Sequence, residues 1–355
     1  MDYIKLLQYL MLGFLGIFTG LLIAAVIYYL AQKNQRGTLT VSTILPPLFG
    51  RKTEIDRLKG LILTGQSSTV TGVFEPERTA ILGYLSDPSH SQTLYGEYAA
   101  KWVFSSMDIA TLGENSSPAD FWQLALRPLK DKFQQNPILL NLYESCSQNQ
   151  FDEYCLDKLI VQLKQEGWRL VLMLDRFDEL LRSPNFKENG KFFATLRKLA
   201  SSRSPSSLCL IISWGISLQE FHEKTRNLSK GSPYFNFMGE VVLGALSDAE
   251  IDNLLNKDFF EPERQFLKEV TGRHPYLLQL AVSALQAAKG RNEKEPLESA
   301  LKDFSAGVAN MLANLIHAWA PKVCKTLVSL VKEGKASELS NEEMSLLEKQ
   351  GFVMR

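Results

Sequence analysis

Short apolar runs that end in acidic or small polar residues constrain the fold most, because they are typical of strands buried on both faces. The clearest is WRLVLMLDRFDEL, residues 168–180, in which an uncharged stretch ends at Asp175. Strand character also marks VTG at 70–72, KWVFSSMDIA at 101–110, SLCLIISW at 207–214 and EVVLGAL at 240–246. Amphipathic helical patterns separate these runs. This alternation predicts an α/β domain over residues 46–245, with a parallel sheet covered by helices on both faces.

A helix-rich region follows the last predicted strand. Ser247 and Glu250 have the spacing of a capping box, in which each side chain bonds the other residue's backbone N–H at a helix start. EPERQFLKEVTG and HPYLLQLAVSALQAA then carry apolar residues at helical spacing. The sequence therefore predicts a small helical lid domain over 246–305 and a helix-rich C-terminal segment over 306–355.

The N-terminal region has a different character. The run from Leu6 to Ala31 contains no charged residue, and a bilayer core requires about 20 apolar residues. The run ends in Tyr28, Tyr29 and Leu30, which is typical of an interfacial aromatic belt and not of a cleavage site. We therefore expect one uncleaved transmembrane helix, with its flank, over 1–36 and a tether over 37–45.

The charges beside the apolar run predict its orientation. Lys33 and Arg36 follow it closely, with Arg51 and Lys52 farther on. Since positive residues favour the cytoplasmic side, the large domain is expected in the cytoplasm, on a single-pass membrane anchor. Gly16 and Gly20 form a G-x-x-x-G pair, which lets two membrane helices approach closely and allows a homo-oligomer.

The overall charge argues against a general nucleic-acid binder. Thirty-nine basic residues balance 39 acidic ones, so the formal net charge is +0. Four cysteines and four histidines are dispersed and match no metal-binding or disulfide spacing. Membrane and protein partners are therefore expected, and nucleic acid is not.

The segment VTGVFEPERTAIL, residues 70–82, has the layout of a phosphate-binding loop. In the pattern G-x-x-x-x-G-K-[ST], Gly72 takes the first glycine and Glu77 the second. Arg78 then takes the place of the lysine, and Thr79 that of the hydroxyl that binds magnesium. The predicted helix after the loop spans Thr79–Leu85.

The loop departs from the pattern in ways that weaken phosphate binding. Pro76 has no backbone N–H, so one donor is missing. Glu75 and Glu77 place negative charge where a triphosphate would lie, and Glu77 replaces a glycine whose backbone freedom the loop uses. Arg78 keeps a positive charge but lacks the compact ammonium of lysine.

A second acidic element follows the strand that ends at Asp175. Asp175 is well placed to hold magnesium, directly or through water. Asp178 and Glu179 come within the next turn, and on an α-helix Glu179 would lie closer to the side of Asp175. Glu179 is therefore the candidate catalytic base, although both acids also suit a helix N-terminus.

In their order, these segments resemble the STAND branch of the AAA+-related P-loop NTPases, of the bacterial AAA-like domain type. The resemblance covers about residues 46–290 and rests on LFGRKTEIDRL, VTGVFEPERTAIL, SMDIATLGENSSPADFWQLAL, LVLMLDRFDEL, LCLIISW, SPYFNFMGEVVLGALSDAE and VTGRHPYLLQLAVSAL. It implies a P-loop NTPase-like fold. The segment over 306–355 resembles the winged-helix module that often follows such domains.

The resemblance also implies a nucleotide site. Gly50 and Arg51 would lie near the nucleotide, and Gly272, His274 and Pro275 near its adenine. Ser213 takes the position that senses the γ-phosphate. ATP or ADP with Mg²⁺ is the implied cofactor. Arg176 stands where the family has a glutamate that activates water, and an arginine cannot act as a base. These three departures from the family pattern, Glu77, Arg78 and Arg176, mean that the protein could lack the nucleotide cofactor.

The sequence thus predicts a membrane-anchored, cytoplasmic STAND-like pseudo-NTPase that acts as a signalling or scaffolding module, with nucleotide binding weak or lost. The alternative is an active ATPase in which Arg78 holds the phosphates and either Glu179 or a residue of a neighbouring subunit completes the site. Such an ATPase would drive ATP-dependent assembly. Enzyme activity stays open at this point. A transcriptional regulator is a third hypothesis, against which the membrane run and the neutral charge argue.

Overall fold

The structure is a computed structural model, and it describes residues 48, 50–201, 207–215, 218–229, 233–255, 258–318, 344–345, 347–348 and 350–351. The described chain divides into two compact units: an α/β unit over Lys52–Leu243, and a helical unit formed by the described residues up to Arg51 and from Gly244 onward. The apolar run at 6–31 lies outside the described residues. Among those that are described, no helix is long and apolar enough to cross a bilayer.

The α/β unit is built around five strands with an entirely parallel arrangement. They are β1 (Ser68–Gly72), β2 (Trp102–Asp108), β3 (Arg169–Asp175), β4 (Leu208–Trp214) and β5 (Gly239–Leu243). Their order in the sheet is β2-β3-β4-β1-β5. Each neighbouring pair is parallel. The predicted parallel sheet is therefore confirmed, with a strand at each of the five predicted places.

Helices connect the strands in sequence. They are α1 (Lys52–Thr64), α2 (Glu75–Ser86), α3 (Pro88–Tyr95), α4 (Pro118–Lys132), α5 (Pro137–Gln148), α6 (Glu153–Gln165), α7 (Pro184–Lys187), α8 (Gly190–Ser201) and α9 (Leu218–Lys224). Short 3₁₀ helices span Gly96–Lys101, Ile109–Thr111 and Phe177–Arg182. Helix α4 begins with a capping box, in which Ser117 and Asp120 each bond the other's backbone N–H.

Both faces of the sheet are buried. Alternate residues Leu170, Leu172 and Leu174 of β3 lie in a core that also contains apolar residues of α4, α6 and α8. Val171 and Met173, which point to the other face because side chains alternate along a strand, are equally buried. Helix α2 lies against β1, β2 and β3. The prediction of helices on both faces is thus confirmed, and the strand ends are left as the place for polar side chains.

The helical unit contains α10 (Asp248–Leu255), α11 (Glu261–Thr271), α12 (Pro275–Gly290) and α13 (Pro296–Ala318). The predicted capping box at its start is present, since the Ser247 N–H donates to Glu250 at 2.8 Å and the Glu250 N–H to Ser247 at 3.3 Å. Helix α13 runs through residues 305–306, where the sequence predicted a domain boundary. Most of the segment predicted to resemble a winged helix lies outside the described residues.

Candidate functional site

The carboxyl ends of the parallel strands bring several predicted site residues together. Asp175 ends β3 directly opposite Asp108, which ends β2. Ser213 is one residue from the end of β4 and lies opposite Val70 of β1. Such strand ends are the usual position of ligand sites in open α/β sheets. We call Glu75, Arg78, Thr79, Asp108, Asp175, Arg176 and Ser213 the strand-end cluster.

Asp175 is the centre of the strand-end cluster. Its carboxylate is 5% exposed. It accepts hydrogen bonds from the Thr79 hydroxyl at 2.5 Å, the Ser213 hydroxyl at 2.6 Å and the Arg176 backbone N–H at 2.9 Å. Thr79, Asp175 and Ser213, which the sequence separates widely, therefore meet at one point. Hydroxyl and carboxylate oxygens are also the ligands that Mg²⁺ prefers.

Arg78 points back into the protein. Its guanidinium donates to the Gly72 carbonyl oxygen through Nη1 and to the Ser213 hydroxyl through Nε at 3.3 Å. The residue is 4% exposed. Burial lowers the pKa of Arg78, and the charges of Asp175, Asp178, Glu75 and Glu77 oppose that shift. At the position of the phosphate-binding lysine, this arginine thus bonds to the ends of β1 and β4.

The segment after β1 winds into a helix earlier than the loop pattern predicts. Helix α2 begins at Glu75, with only two residues between it and Gly72, and not at Thr79. The backbone N–H groups of Glu77 and Arg78 are directed at the Phe74 carbonyl, at 3.2 and 3.4 Å. Pro76 has no N–H. Few backbone donors therefore remain for the concave nest that holds phosphate in such loops.

The sequence held a signal for this early helix start. A proline and acidic residues in the first turn both favour a helix N-terminus, and Glu75, Pro76 and Glu77 supply them. Gly72 also has a structural explanation. A β-carbon added there would lie 2.9 Å from Cβ of Leu243, its register partner on β5. The absence of a side chain at Gly72 therefore allows β1 to approach β5 closely.

Arg176 occupies the position at which the resemblance described above predicts a glutamate. Its backbone is left-handed, with φ of 52°, and begins the 3₁₀ helix after β3. Its side chain forms two hydrogen bonds with the Asp108 carboxylate, one of them at 2.8 Å, and an ion pair with Glu75 at 3.3 Å. The hydrogen bond from Arg176 holds the pKa of Asp108 below its ordinary value. Arg176 therefore ties the ends of β2 and β3 to the start of α2.

Glu179, the candidate base, lies in the segment that follows Asp175. The segment is a 3₁₀ helix and not the α-helix assumed from the sequence. Glu179 pairs with Arg182 at 2.8 Å. Asp178 is the acid nearer the cluster, because its carboxylate accepts from the Gly215 N–H at 3.4 Å and its charge acts on Arg78. Sequence reasoning gave no role to Asp108, although it ends a strand just as Asp175 does.

The other predicted nucleotide residues belong to the helical unit. Gly50 has φ of 76°, and a β-carbon there would lie 2.7 Å from a methyl group of Leu246. Arg51 is 1% and His274 0% exposed. Burial, with a smaller contribution from Arg51, lowers the pKa of His274 to about 3. Pro275 begins α12 directly after His274. These four residues are therefore packed within their own unit.

Comparison with known proteins supports the fold. No protein-family model and no curated protein matches the chain. Among solved structures, a Walker-type ATPase of Pyrococcus abyssi is similar, with 14% identity and a TM-score of 0.52, over 89% of this chain and 93% of that one. The ORC2 protein of Aeropyrum pernix, in ADPNP–ADP complexes, gives 12% identity and a TM-score of 0.48, over 95% of this chain and 91% of that one. The chain has a P-loop NTPase-like fold.

The cluster fits only part of a magnesium nucleotide. Thr79 and Asp175 offer oxygen ligands suited to the metal. Few hydrogen-bond donors face the phosphate groups, because the Arg78 side chain is bonded inward and the N–H groups of Glu77 and Arg78 face the Phe74 carbonyl. Two carboxylates, Glu75 and Glu77, lie in the first turn of α2. The residues present therefore do not form a triphosphate site.

Proposed function

We propose that this chain is a membrane-anchored cytoplasmic pseudo-NTPase that acts as a scaffold for protein partners, with nucleotide binding weak or lost. The observation that carries the proposal is the inward Arg78, which bonds the Gly72 carbonyl and the Ser213 hydroxyl where a nucleotide-binding side chain would face outward. Arg176, paired with Asp108 and Glu75, supports it by taking the place of a water-activating acid.

The contacts of Arg78 oppose phosphate binding energetically. To reach a phosphate, its guanidinium has to leave both the Gly72 carbonyl and the Ser213 hydroxyl. A hydrogen bond to a charged group contributes about 1.5–3 kcal/mol, so the two together contribute about 3–6 kcal/mol. That corresponds to a loss of about 10²–10⁴ in affinity. Glu75 and Glu77 add repulsion.

The scaffolding role rests on the arrangement of the chain. The apolar run at 6–31 and the basic residues after it favour a single-pass anchor with the folded units in the cytoplasm. A parallel sheet whose strand ends are crosslinked by its own arginines keeps its shape without a ligand. Such a domain acts through the proteins it contacts, and the Gly16–Gly20 pair offers a route to a homo-oligomer.

Calorimetric titration of the full-length chain in detergent with ATP or ADP and magnesium tests the proposal. We expect no binding tighter than about 100 µM, equivalent to about −5.5 kcal/mol. Tighter binding that disappears in Thr79→Ala would overturn the proposal.

A restored variant identifies the cause. Glu77→Gly and Arg78→Lys together should raise ATP affinity by at least about tenfold, because they remove a repulsive carboxylate and the guanidinium that bonds inward. The matched control makes similar changes outside the cluster, as Glu97→Gly with Arg182→Lys, and should bind no better than the original chain. An unchanged affinity in the folded restored variant would show that Glu77 and Arg78 are not the obstacle.

One observation favours a second function, an ATPase that drives assembly. The Thr79 and Ser213 hydroxyls each donate a hydrogen bond to Asp175 at the strand ends, so oxygen ligands gather there as a metal-dependent site requires. Phosphate release that Asp175→Ala abolishes, together with an ATP-dependent increase in light scattering, would establish this function in place of the first.

A further inference from the structure

A second region of the α/β unit contains open space. It is a cavity of about 240 Å³ where the N-terminal ends of α4, α6 and α8 meet, and we call it the α8 cavity. One water needs only about 10–15 Å³ of such volume, so there is room for a small organic molecule. Trp122, Leu156 and Phe192 line it and are at most 4% exposed. Its floor therefore suits an apolar body about the size of an aromatic ring.

The carboxylates at the mouth of the cavity are already engaged. Asp152 accepts a hydrogen bond from the Cys155 N–H at 2.8 Å, which caps α6 and lowers the pKa of Asp152. Glu153 forms an ion pair with Lys198 at 3.0 Å. Neither acid is therefore in a position to serve as the main partner of a cationic ligand.

Lys191 is the charged side chain at the cavity whose hydrogen-bond donors are not used by other described residues. It lines the cavity from the first turn of α8. Within the described part of the chain, its ammonium forms no hydrogen bond and no ion pair within 4.0 Å; its field acts only weakly on Asp152. An ammonium has three donors, and the N-terminal end of a helix also favours negative charge. The polar end of an occupant should therefore be an anion.

The wall of the cavity is strained. Gln150 and Phe151, which line it, both have left-handed backbones, with φ of 54° and 53°. For residues other than glycine, this costs roughly 1–2 kcal/mol each. The Phe151 N–H donates to the Cys146 carbonyl at 2.7 Å, and the Phe151 ring meets Tyr143 at 5.8 Å. Packing thus enforces a conformation that shapes the cavity, as is common at ligand sites.

We propose that the α8 cavity binds a small carboxylate with an aromatic or similarly sized apolar body. The carboxylate pairs with Lys191, and the apolar body lies against Trp122 and Phe192. The cavity therefore selects a ligand by three properties, which are its apolar ring, its anionic group and its size. This site is separate from the strand-end cluster and does not depend on the function proposed for it.

Calorimetric titration of the full-length chain with phenylacetate tests the proposal, with phenethylamine as a probe of similar size and opposite charge. Phenylacetate should bind at least about tenfold more tightly than phenethylamine, the scale of one hydrogen bond to a charged group. Lys191→Met keeps the length of the side chain and should weaken phenylacetate binding about tenfold. The matched control Lys132→Met, at an exposed lysine outside the cavity, should leave it unchanged.

A second variant tests the space itself. Thr195 lines the cavity and is 7% exposed, so Thr195→Phe should fill the cavity and abolish binding while Lys191 is retained. The proposal is overturned if folded wild-type chain binds no phenylacetate at about 10 mM, which is about −2.7 kcal/mol. Equal binding by Lys191→Met, or tighter binding of phenethylamine, would overturn the choice of an anion.

Discussion

The strand-end cluster and the α8 cavity lie in the same α/β unit but differ in whether their basic side chains are bonded to other residues. In the cluster, Arg78 bonds the ends of β1 and β4, and Arg176 pairs with Asp108 and Glu75. In the cavity, Lys191 is left without an ion pair among the described residues, beside open space. The position of a charged side chain in a known motif is therefore a weaker guide to ligand binding than whether its hydrogen-bond donors are already used within the protein.

The two regions also differ in where strain and burial are used. In the cluster, the Asp175 carboxylate is buried, at 5% exposure, and it accepts three hydrogen bonds. The cavity has two left-handed residues in its wall, Gln150 and Phe151. Buried, satisfied charge stabilises one arrangement, whereas a strained wall lowers stability to keep a shape. Substitutions in the two regions should consequently change stability in opposite directions.

The largest effect is expected at Arg78. Arg78→Met should lower the free energy of unfolding by about 3–5 kcal/mol, because it removes a buried positive charge that acts on Asp175 and leaves the Gly72 carbonyl and the Ser213 hydroxyl without their donor. Urea unfolding followed by tryptophan fluorescence measures this, since Trp214 is buried next to Ser213.

Arg182→Met is the matched control, because the Arg182 side chain is 76% exposed and, within the described ranges, its one ion pair is with Glu179. The control should shift stability by no more than about 0.5 kcal/mol. Equal effects of the two substitutions would mean that the strand-end cluster contributes no special stability.

A smaller effect is expected at Asp108. Asp108→Asn should lower stability at neutral pH by about 0.5–1 kcal/mol, because Asp108 and Arg176 are partly exposed and solvent screens their ion pair. The pKa of Asp108 is lowered in the folded protein, so the carboxylate stabilises the fold above its unfolded pKa of about 3.9. That contribution disappears as pH falls through the lower, folded value.

Unfolding curves of Asp108→Asn and the original chain should therefore differ at pH 7 and converge toward pH 3. High salt at pH 7 should reduce the difference as well, since the pair is screened. A difference that persists at low pH would indicate that the substitution acts through packing and not through charge.

Much of this fold could be predicted from the sequence, because its determinants are local. Runs such as LVLMLD and LCLIISW are buried strands by composition alone, and helices between them require a parallel sheet. The loop pattern singled out Thr79, the end of an apolar strand singled out Asp175, and the family resemblance singled out Ser213; the parallel sheet brings them together because its strands end at one edge. The core and part of the cluster thus depend on patterns that a sequence displays.

The remaining features depend on contacts between distant residues. The pairing of Arg176 with Asp108 requires the β2–β3 register, which places Asp108 opposite Asp175. It also requires the left-handed backbone at Arg176. The inward direction of Arg78 depends on the early start of α2, which the loop pattern led us to place four residues later. The α8 cavity arises from three helix ends, none of which carries a motif.

The smallest effect, and the opposite sign, is expected in the wall of the cavity. Gln150→Gly should raise the free energy of unfolding by about 0.5 kcal/mol, because glycine adopts the left-handed backbone without the cost that glutamine bears, offset partly by its greater freedom when unfolded. Gln123→Gly on the exposed face of α4 is the matched control and should lower stability by about 1 kcal/mol. If both substitutions destabilise equally, the turn at Gln150 is not strained, and the wall of the cavity is shaped at no cost in stability.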